Sequence, residues 1–133
     1  MSSSERGGGA TVQFEPPDTA FVAYSGVVDG ACVRASREKG GTLVKGLEYY
    51  FLMFDVTAMV GMTPDGRSAI VAPAPPGVPP VRAIAVIGTN FHIRSIMSMV
   101  VRARYLLVGR PEKNTGFFDT AAEARAWLAE QRR

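Results

Sequence analysis

Long apolar segments alternate along the chain with amphipathic ones, and this alternation predicts a series of strands and helices. The two strongest strand signals are residues 48–57 (EYYFLMFDVT) and 82–88 (RAIAVIG). Continuous apolar runs bounded by turn residues are typical of strands that are covered on both faces. We therefore expect these two strands side by side in the middle of a sheet.

Weaker patterns predict three further strands. Val12 and Phe14 alternate with polar residues up to Pro16, where the first strand should end because proline cannot donate to a strand ladder. Residues 21–28 (FVAYSGVV) predict a second strand, and residues 117–118 a short last one.

Two helices have recognisable first and last residues. Asp29 is a predicted N-cap for a helix over residues 30–39, with Gly40 and Gly41 as its stop. Thr63 and Pro64 predict the start of a second helix, which should end near residue 72.

Two more helices follow in the second half. Residues 91–107 repeat apolar positions at helical spacing. Thr120 and Glu123 form a capping-box pattern before a final helix, whose apolar side should include Trp127 and Leu128.

The predicted order is β-β-α-β-α-β-α-β-α, an α/β fold with a single mixed, mostly parallel β-sheet flanked by helices and opened by an antiparallel hairpin. Residues 1–10, rich in Ser and Gly, predict a flexible N-terminal tail, and residues 11–133 a single domain. Residues 73–80 (PAPPGVPP) predict an irregular connector, since prolines lack N–H donors.

Composition excludes several classes of protein. With 133 residues, 47% of them hydrophobic and 20% charged, the chain predicts one soluble globular domain. No apolar run approaches the roughly 18 residues of a membrane span, and no secretory signal is recognisable. One His and one Cys are too few for a closed zinc site, so we expect no metal and no cofactor. The lone Cys32 favours a cytoplasmic location.

The net charge of +3 comes from the second half of the chain, where residues 82–133 carry nine basic and four acidic side chains. These cations are spread over several predicted elements, and only one aromatic residue, Tyr105, lies among the arginines from Arg94 to Arg110. Nucleic-acid binding requires a stripe of cations with stacking aromatics, so we expect no nucleic-acid partner.

Few side chains suggest chemistry. His92 is the only group that titrates near neutrality unaided, but no nucleophile motif accompanies it, and Cys32 is expected to be an inert packed thiol. Asp55 ends a central strand, where α/β sheets place ligand-binding groups, although acids there more often accept hydrogen bonds from loop amides. Thr89 and Asn90 begin a helix and suit either capping or anion binding.

The methionines are a mild excess, six in all. Met53, Met59, Met62 and Met97 fall in elements that should border the core, and flexible thioethers suit adaptable apolar pockets as well as ordinary cores. A pocket lined by these methionines and by phenylalanines is therefore one hypothesis.

Several segments together resemble the bacterial STAS family, which includes sulfate-transporter and anti-sigma-factor-antagonist domains. The resemblance is carried by Asp55-Val56-Thr57, by Arg67, by the strand 82–88 and by the ending 117–128 (FFDTAAEARAWL), and it extends over about residues 11–131. It implies a small α/β domain that regulates other proteins by binding them, without catalysis.

Antagonist members carry an aspartate-serine-serine-glycine turn after the central strand, and a partner kinase phosphorylates a serine there. Aligned without gaps from Asp55, this turn falls on Thr63-Pro64-Asp65-Gly66, with Pro64 at the acceptor position. Proline has no hydroxyl, so the usual serine switch is not expected, and Thr63 is the nearby candidate phosphoacceptor.

The first functional hypothesis is a non-enzymatic STAS-like module that binds a protein partner, a regulator or a kinase-like protein. The alternative is a carrier or sensor of an apolar small molecule or lipid, and an enzyme would need His92, Asp55 and Thr63 to converge. The oligomeric state stays open, with a dimer as one option. The candidate binding residues are Asp55, Thr57, Asp65, Thr89, Asn90 and Arg94.

Overall fold

The computed structural model describes residues 9–88, 94–96, 98–99, 102 and 115–132. Its elements are β1 (Gly9–Glu15), β2 (Thr19–Val28), α1 (Gly30–Leu43), β3 (Tyr50–Met62), α2 (Pro64–Val71), β4 (Val81–Ile87), β5 (Thr115–Phe118) and α3 (Ala121–Gln131). The described residues between 94 and 102 are also helical and lie between β4 and β5 in the chain. This order confirms the predicted α/β alternation.

The five strands form one sheet in the order β1-β2-β3-β4-β5. β1 and β2 are an antiparallel hairpin, and every other pair is parallel. The predicted central strand, β3, is indeed the middle one and pairs with β4 over residues 50–55. The two long apolar runs of the sequence are therefore neighbours in the core of the sheet.

This topology decides which face each helix covers. Because the parallel strands follow one another across the sheet in chain order and crossovers are right-handed, all crossover helices lie on the same face. Val33 of α1, Ile70 of α2 and Ile96 belong to one buried cluster with Phe54 of β3. Leu128 belongs to the other cluster. We call these two sides the α1 face and the α3 face.

Side chains of β3 alternate between the two faces. Leu52, Phe54 and Val56 contact the α1-face cluster, whereas Phe51 and Met53 are fully buried in the α3-face cluster. Burial of both faces explains why this strand has no polar side in the sequence.

At the amino end of the parallel strands, two ion pairs tie α3 to the β1–β2 turn. Arg125 reaches Glu15 through two hydrogen bonds of 3.0 and 2.8 Å. Arg132 reaches Asp18 at 2.7 Å, and its guanidinium lies 5.2 Å from the ring centre of Phe51. We call Glu15, Asp18, Arg125 and Arg132 the amino-end clamp. Hydrogen bonds from these arginines hold the pKa of each carboxyl below its ordinary value.

Some boundaries differ from the sequence prediction. Gly9 and Ala10 belong to β1 rather than to the tail, because they pair with Ser25 and Tyr24 of β2. α1 continues through Gly40 to Leu43. Gly40 is buried beside Val12, so contact with the sheet outweighs the roughly 1 kcal/mol that a helical glycine costs.

Candidate functional site at the carboxyl end of the sheet

β3 is longer than its sequence pattern suggested and runs past the end of β4. Its pairing with β4 ends at Asp55↔Ile87, but its pairing with β2 continues to Val28↔Met62 across two bulges. Among the described residues, the segment 56–62 therefore has a paired strand on one side only. Such an edge leaves backbone hydrogen-bonding groups available to a partner.

Two local contacts mark the point where the pairing of β3 with β4 ends. The Asp55 carboxylate accepts a hydrogen bond of 3.0 Å from the backbone N–H of Thr57. Gly88, in the left-handed region at φ +80°, lies so close to Thr57 that a Cβ would not fit between them. Asp55 therefore orders its own turn by accepting a backbone hydrogen bond, which is the structural alternative to ligand binding that the sequence allowed.

Two valines are exposed where the extended strands end. The exposed fraction is 66% for Val60 and 44% for Val27, whereas Met59 and Met62 are buried. Val27 pairs with Gly61, so the two valines lie on neighbouring strands one residue apart in register. We call Val27, Val60, Thr63 and Asp65 the carboxyl-end surface.

The start of α2 completes this surface. Thr63 is the N-cap, as predicted, and its Oγ1 accepts a hydrogen bond of 3.0 Å from the N–H of Gly66. Its own N–H donates to the carbonyl of Val28 at 2.9 Å, which fixes α2 to the end of β2. Pro64 occupies the first turn, where its missing N–H costs nothing.

The N-termini of α1 and α2 meet at two glycines. A Cβ on Gly66 would lie 2.7 Å from the carbonyl oxygen of Val28, and a Cβ on Gly30 would overlap the carboxylate of Asp65. Asp65 also lies 3.6 Å from Arg34, with both side chains mostly exposed. Gly30, in the first turn of α1, therefore lies directly against the side chain of Asp65 in α2.

The three candidate pocket methionines that the structure describes are not brought together as a pocket. Met53 is buried on the α3 face, while Met59 and Met62 are buried in the α1-face cluster. Met97 lies outside the described residues. Met53 and Met59 are six positions apart, so strict alternation would place them on one face of the sheet, but the register shift opposite Asp55 and Ala58 interrupts the alternation between them. These three methionines thus serve ordinary core packing on two different faces.

The remaining candidates are scattered. Thr89, Asn90 and His92 lie outside the described residues. Arg94 is exposed, with its guanidinium 5.1 Å from the ring centre of Phe117. Cys32 is half-buried in α1, where burial raises the pKa of its thiol.

The geometry gives no support to a site built from Asp55 and Thr63. Asp55 and Met62 are seven positions apart on one extended strand, a separation of about 20 Å. The described residues contain no group of three or more His, Cys, Asp or Glu that could hold a metal ion. No helix in the described part of the chain is long and apolar enough to cross a membrane.

Sequence reasoning missed the exposed valines and the close-approach glycines. The one available signal for the valines was that residues 58–62 (AMVGM) continue the apolar run past the predicted strand end. The glycine contacts depend on how α1 and α2 pack against each other, and a local sequence pattern contains no information on that packing.

Comparison with solved structures shows that the chain has a STAS-like fold. It aligns with an uncharacterised protein from Shewanella loihica that has a SpoIIAA-like fold, at a TM-score of 0.59 and 12% identity over 92% of this chain and 94% of that one. It also aligns with an anti-sigma factor antagonist from Mycobacterium paratuberculosis, at a TM-score of 0.51 and 15% identity over 95% of both chains. No protein-family model and no curated protein matches the sequence.

Proposed function

We propose that the chain is a non-enzymatic regulatory module that binds a protein partner through the carboxyl-end surface. The observation that carries the proposal is the exposure of Val60 and Val27, 66% and 44%, beside the open edge of β3. Covering an exposed valine side chain contributes on the order of 1 kcal/mol, and an open edge adds backbone hydrogen bonds.

The shared fold with an anti-sigma factor antagonist supports a role in binding another protein. A serine switch is not part of the proposal, because Pro64 occupies the acceptor position in the gap-free alignment of the turn. Thr63 remains the candidate phosphoacceptor. A phosphate on its hydroxyl would lie at the N-terminus of α2, where the helix dipole favours negative charge, with the Asp65 carboxylate nearby as a repulsive charge.

The proposed setting is the cytoplasm, with another protein or a second copy of the chain as partner. The test compares tagged wild-type protein with Val60→Asp in a cell extract of the source organism. Leu43→Asp is the matched control, because Leu43 is also an exposed aliphatic side chain, at 36%, but lies at the end of α1.

The wild type and Leu43→Asp should retain the same specific protein, and Val60→Asp should lose it by at least about tenfold. Light scattering of the purified proteins covers the case of a self-partner, since a dimer should persist in Leu43→Asp and dissociate in Val60→Asp. Equal retention by both variants, or no specific protein and no dimer with the wild type, would overturn the proposal.

A further inference from the structure

A cavity of about 70 Å³ lies on the α1 face, between the sheet, α1 and the proline-rich connector that follows α2. Its floor consists of Val22, Leu52, Phe54, Ile84 and Val86. The exposed connector residues Ala74 and Pro75 form part of its rim. The cavity is separate from the carboxyl-end surface, none of whose residues lines it.

The cavity exists because two elements around it lack filling side chains. Gly40 and Gly41 of α1 both line it, and neither places a side chain into it. The connector has no regular structure and crosses α1 at Val78, whose methyl group would lie 3.2 Å from a Cβ on Gly41. Protein interiors rarely leave such space unfilled, which makes an apolar opening of this size informative.

Two hydroxyls of the cavity lining, those of Tyr24 and Ser36, are paired with each other. Tyr24 Oη and Ser36 Oγ are 2.8 Å apart, and Ser36 donates to the carbonyl of Val33 at 2.9 Å, so Tyr24 is the donor to Ser36. Burial raises the pKa of Tyr24 to about 12, so the phenol is neutral at pH 7. A water needs two to four polar partners, and this lining offers few, which favours an apolar occupant.

One cationic side chain, Arg37, lines the cavity beside these apolar groups. Its Nη1 donates to the carbonyl of Ala69 at 2.8 Å, which holds the guanidinium between α1 and α2. A guanidinium beside apolar surface matches a ligand that has an apolar body and one anionic group.

We propose that this cavity binds a small amphipathic carboxylate, with its alkyl chain between α1 and the sheet and its carboxylate at Arg37. The volume limits the buried part to a few carbon atoms, since a cavity of roughly 150 Å³ accommodates benzene. A short-chain fatty acid fits this description, and a full-length lipid does not.

The probes are sodium hexanoate and, as the neutral analogue of equal chain length, hexan-1-ol, each titrated into the full chain and followed by amide NMR shifts. Hexanoate should bind saturably with a Kd of about 1 mM, and hexan-1-ol about fivefold more weakly. Arg37→Met should remove that preference, while Arg37→Lys, which keeps the charge, should retain most of it.

A second pair of variants tests the location. Val78→Trp places an indole on the exposed connector at the rim of the cavity and should weaken hexanoate binding at least about tenfold. Val60→Trp adds the same ring outside the lining and should leave the Kd unchanged. The proposal is overturned if hexanoate shows no saturable shifts up to about 20 mM, if Val78→Trp binds like the wild type, or if hexan-1-ol binds as tightly as hexanoate.

Discussion

The two ends of the parallel strands are built in opposite ways. At the amino end, the polar groups of the clamp are paired within the chain, and Arg132 covers the ring of Phe51. At the carboxyl end, β3 continues without β4 and leaves Val60 exposed. The charged side chains at the amino end are therefore paired within the chain, whereas the carboxyl end leaves apolar side chains exposed.

The difference between the two ends follows from the position of α3, whose last residues pack at the amino end of the parallel strands. After β5 the chain crosses to the α3 face, and the last residues of its helix reach the β1–β2 turn. Among the described residues, no element makes the equivalent return at the carboxyl end. The N-termini of α1 and α2 meet there at glycines instead of at large side chains.

The largest expected effect on stability is at the glycine contact of the carboxyl end. Gly66→Ala should lower the free energy of unfolding by about 2 kcal/mol, because the new methyl would meet the backbone oxygen of Val28. Gly30→Ala is the matched control and should change it by less than about 0.5 kcal/mol, since only the exposed Asp65 side chain must move. Urea unfolding of both variants measures the difference, and equal losses would contradict this account of the contact.

The next effect concerns the amino-end clamp. Asp18→Asn should lower the free energy of unfolding by about 1.5 kcal/mol, because the paired carboxylate is 90% buried and Arg132 keeps two-thirds of its side chain buried. Glu130→Gln is the control, because Glu130 is an exposed acid on α3, close to Arg132 in the sequence. Its free energy of unfolding should stay within about 0.5 kcal/mol of the wild-type value in the same urea titration. A loss in Glu130→Gln as large as that in Asp18→Asn would show that the effect is not specific to the clamp.

The clamp should also give the protein an acid-sensitive component of stability. Hydrogen bonds from Arg132 and Arg125 lower the folded-state pKa values of Asp18 and Glu15 from their ordinary 3.8 and 4.5. This stabilisation is complete above those ordinary values and is lost as the pH falls through the lowered ones. Unfolding measured from pH 7 to pH 2 should show the decline in wild type and a shallower one in Asp18→Asn. Parallel curves would contradict it.

The smallest expected effect is at Val60. Val60→Thr keeps the shape of the side chain and should change the free energy of unfolding by less than about 0.5 kcal/mol, because that side chain is 66% exposed. Thermal unfolding checks this. A loss above about 1 kcal/mol would show that Val60 packs within the chain and is not available to a partner.

Local signals predicted much of the fold. The capping box at Thr120 and Glu123 is present in the structure, and Thr63 caps α2 as expected. Both motifs lie within four residues of chain, so their chemistry is decided locally. The neighbouring position of β3 and β4 followed from their unbroken apolar character, which only a covered strand tolerates.

Features that depend on distant residues were not predicted. Arg125 and Glu15 are 110 positions apart, and Arg132 and Asp18 are 114 apart. The separation of Met53 from Met59 and Met62 was missed for a related reason, because the face that each one occupies depends on strand alternation and on the bulges between β2 and β3. The α1-face cavity is lined by Gly40 and Gly41, which the sequence pattern predicted only as the end of a helix.

Site-specific photocrosslinking compares the two ends most directly. A benzophenone amino acid replaces Val60 in one protein and Glu130, on the amino-end helix α3, in another, and both are exposed to the same cell extract. Binding through the carboxyl-end surface predicts one crosslinked protein from position 60 and none from position 130. A crosslink from position 130 alone would contradict it and assign partner binding to the end that the clamp occupies.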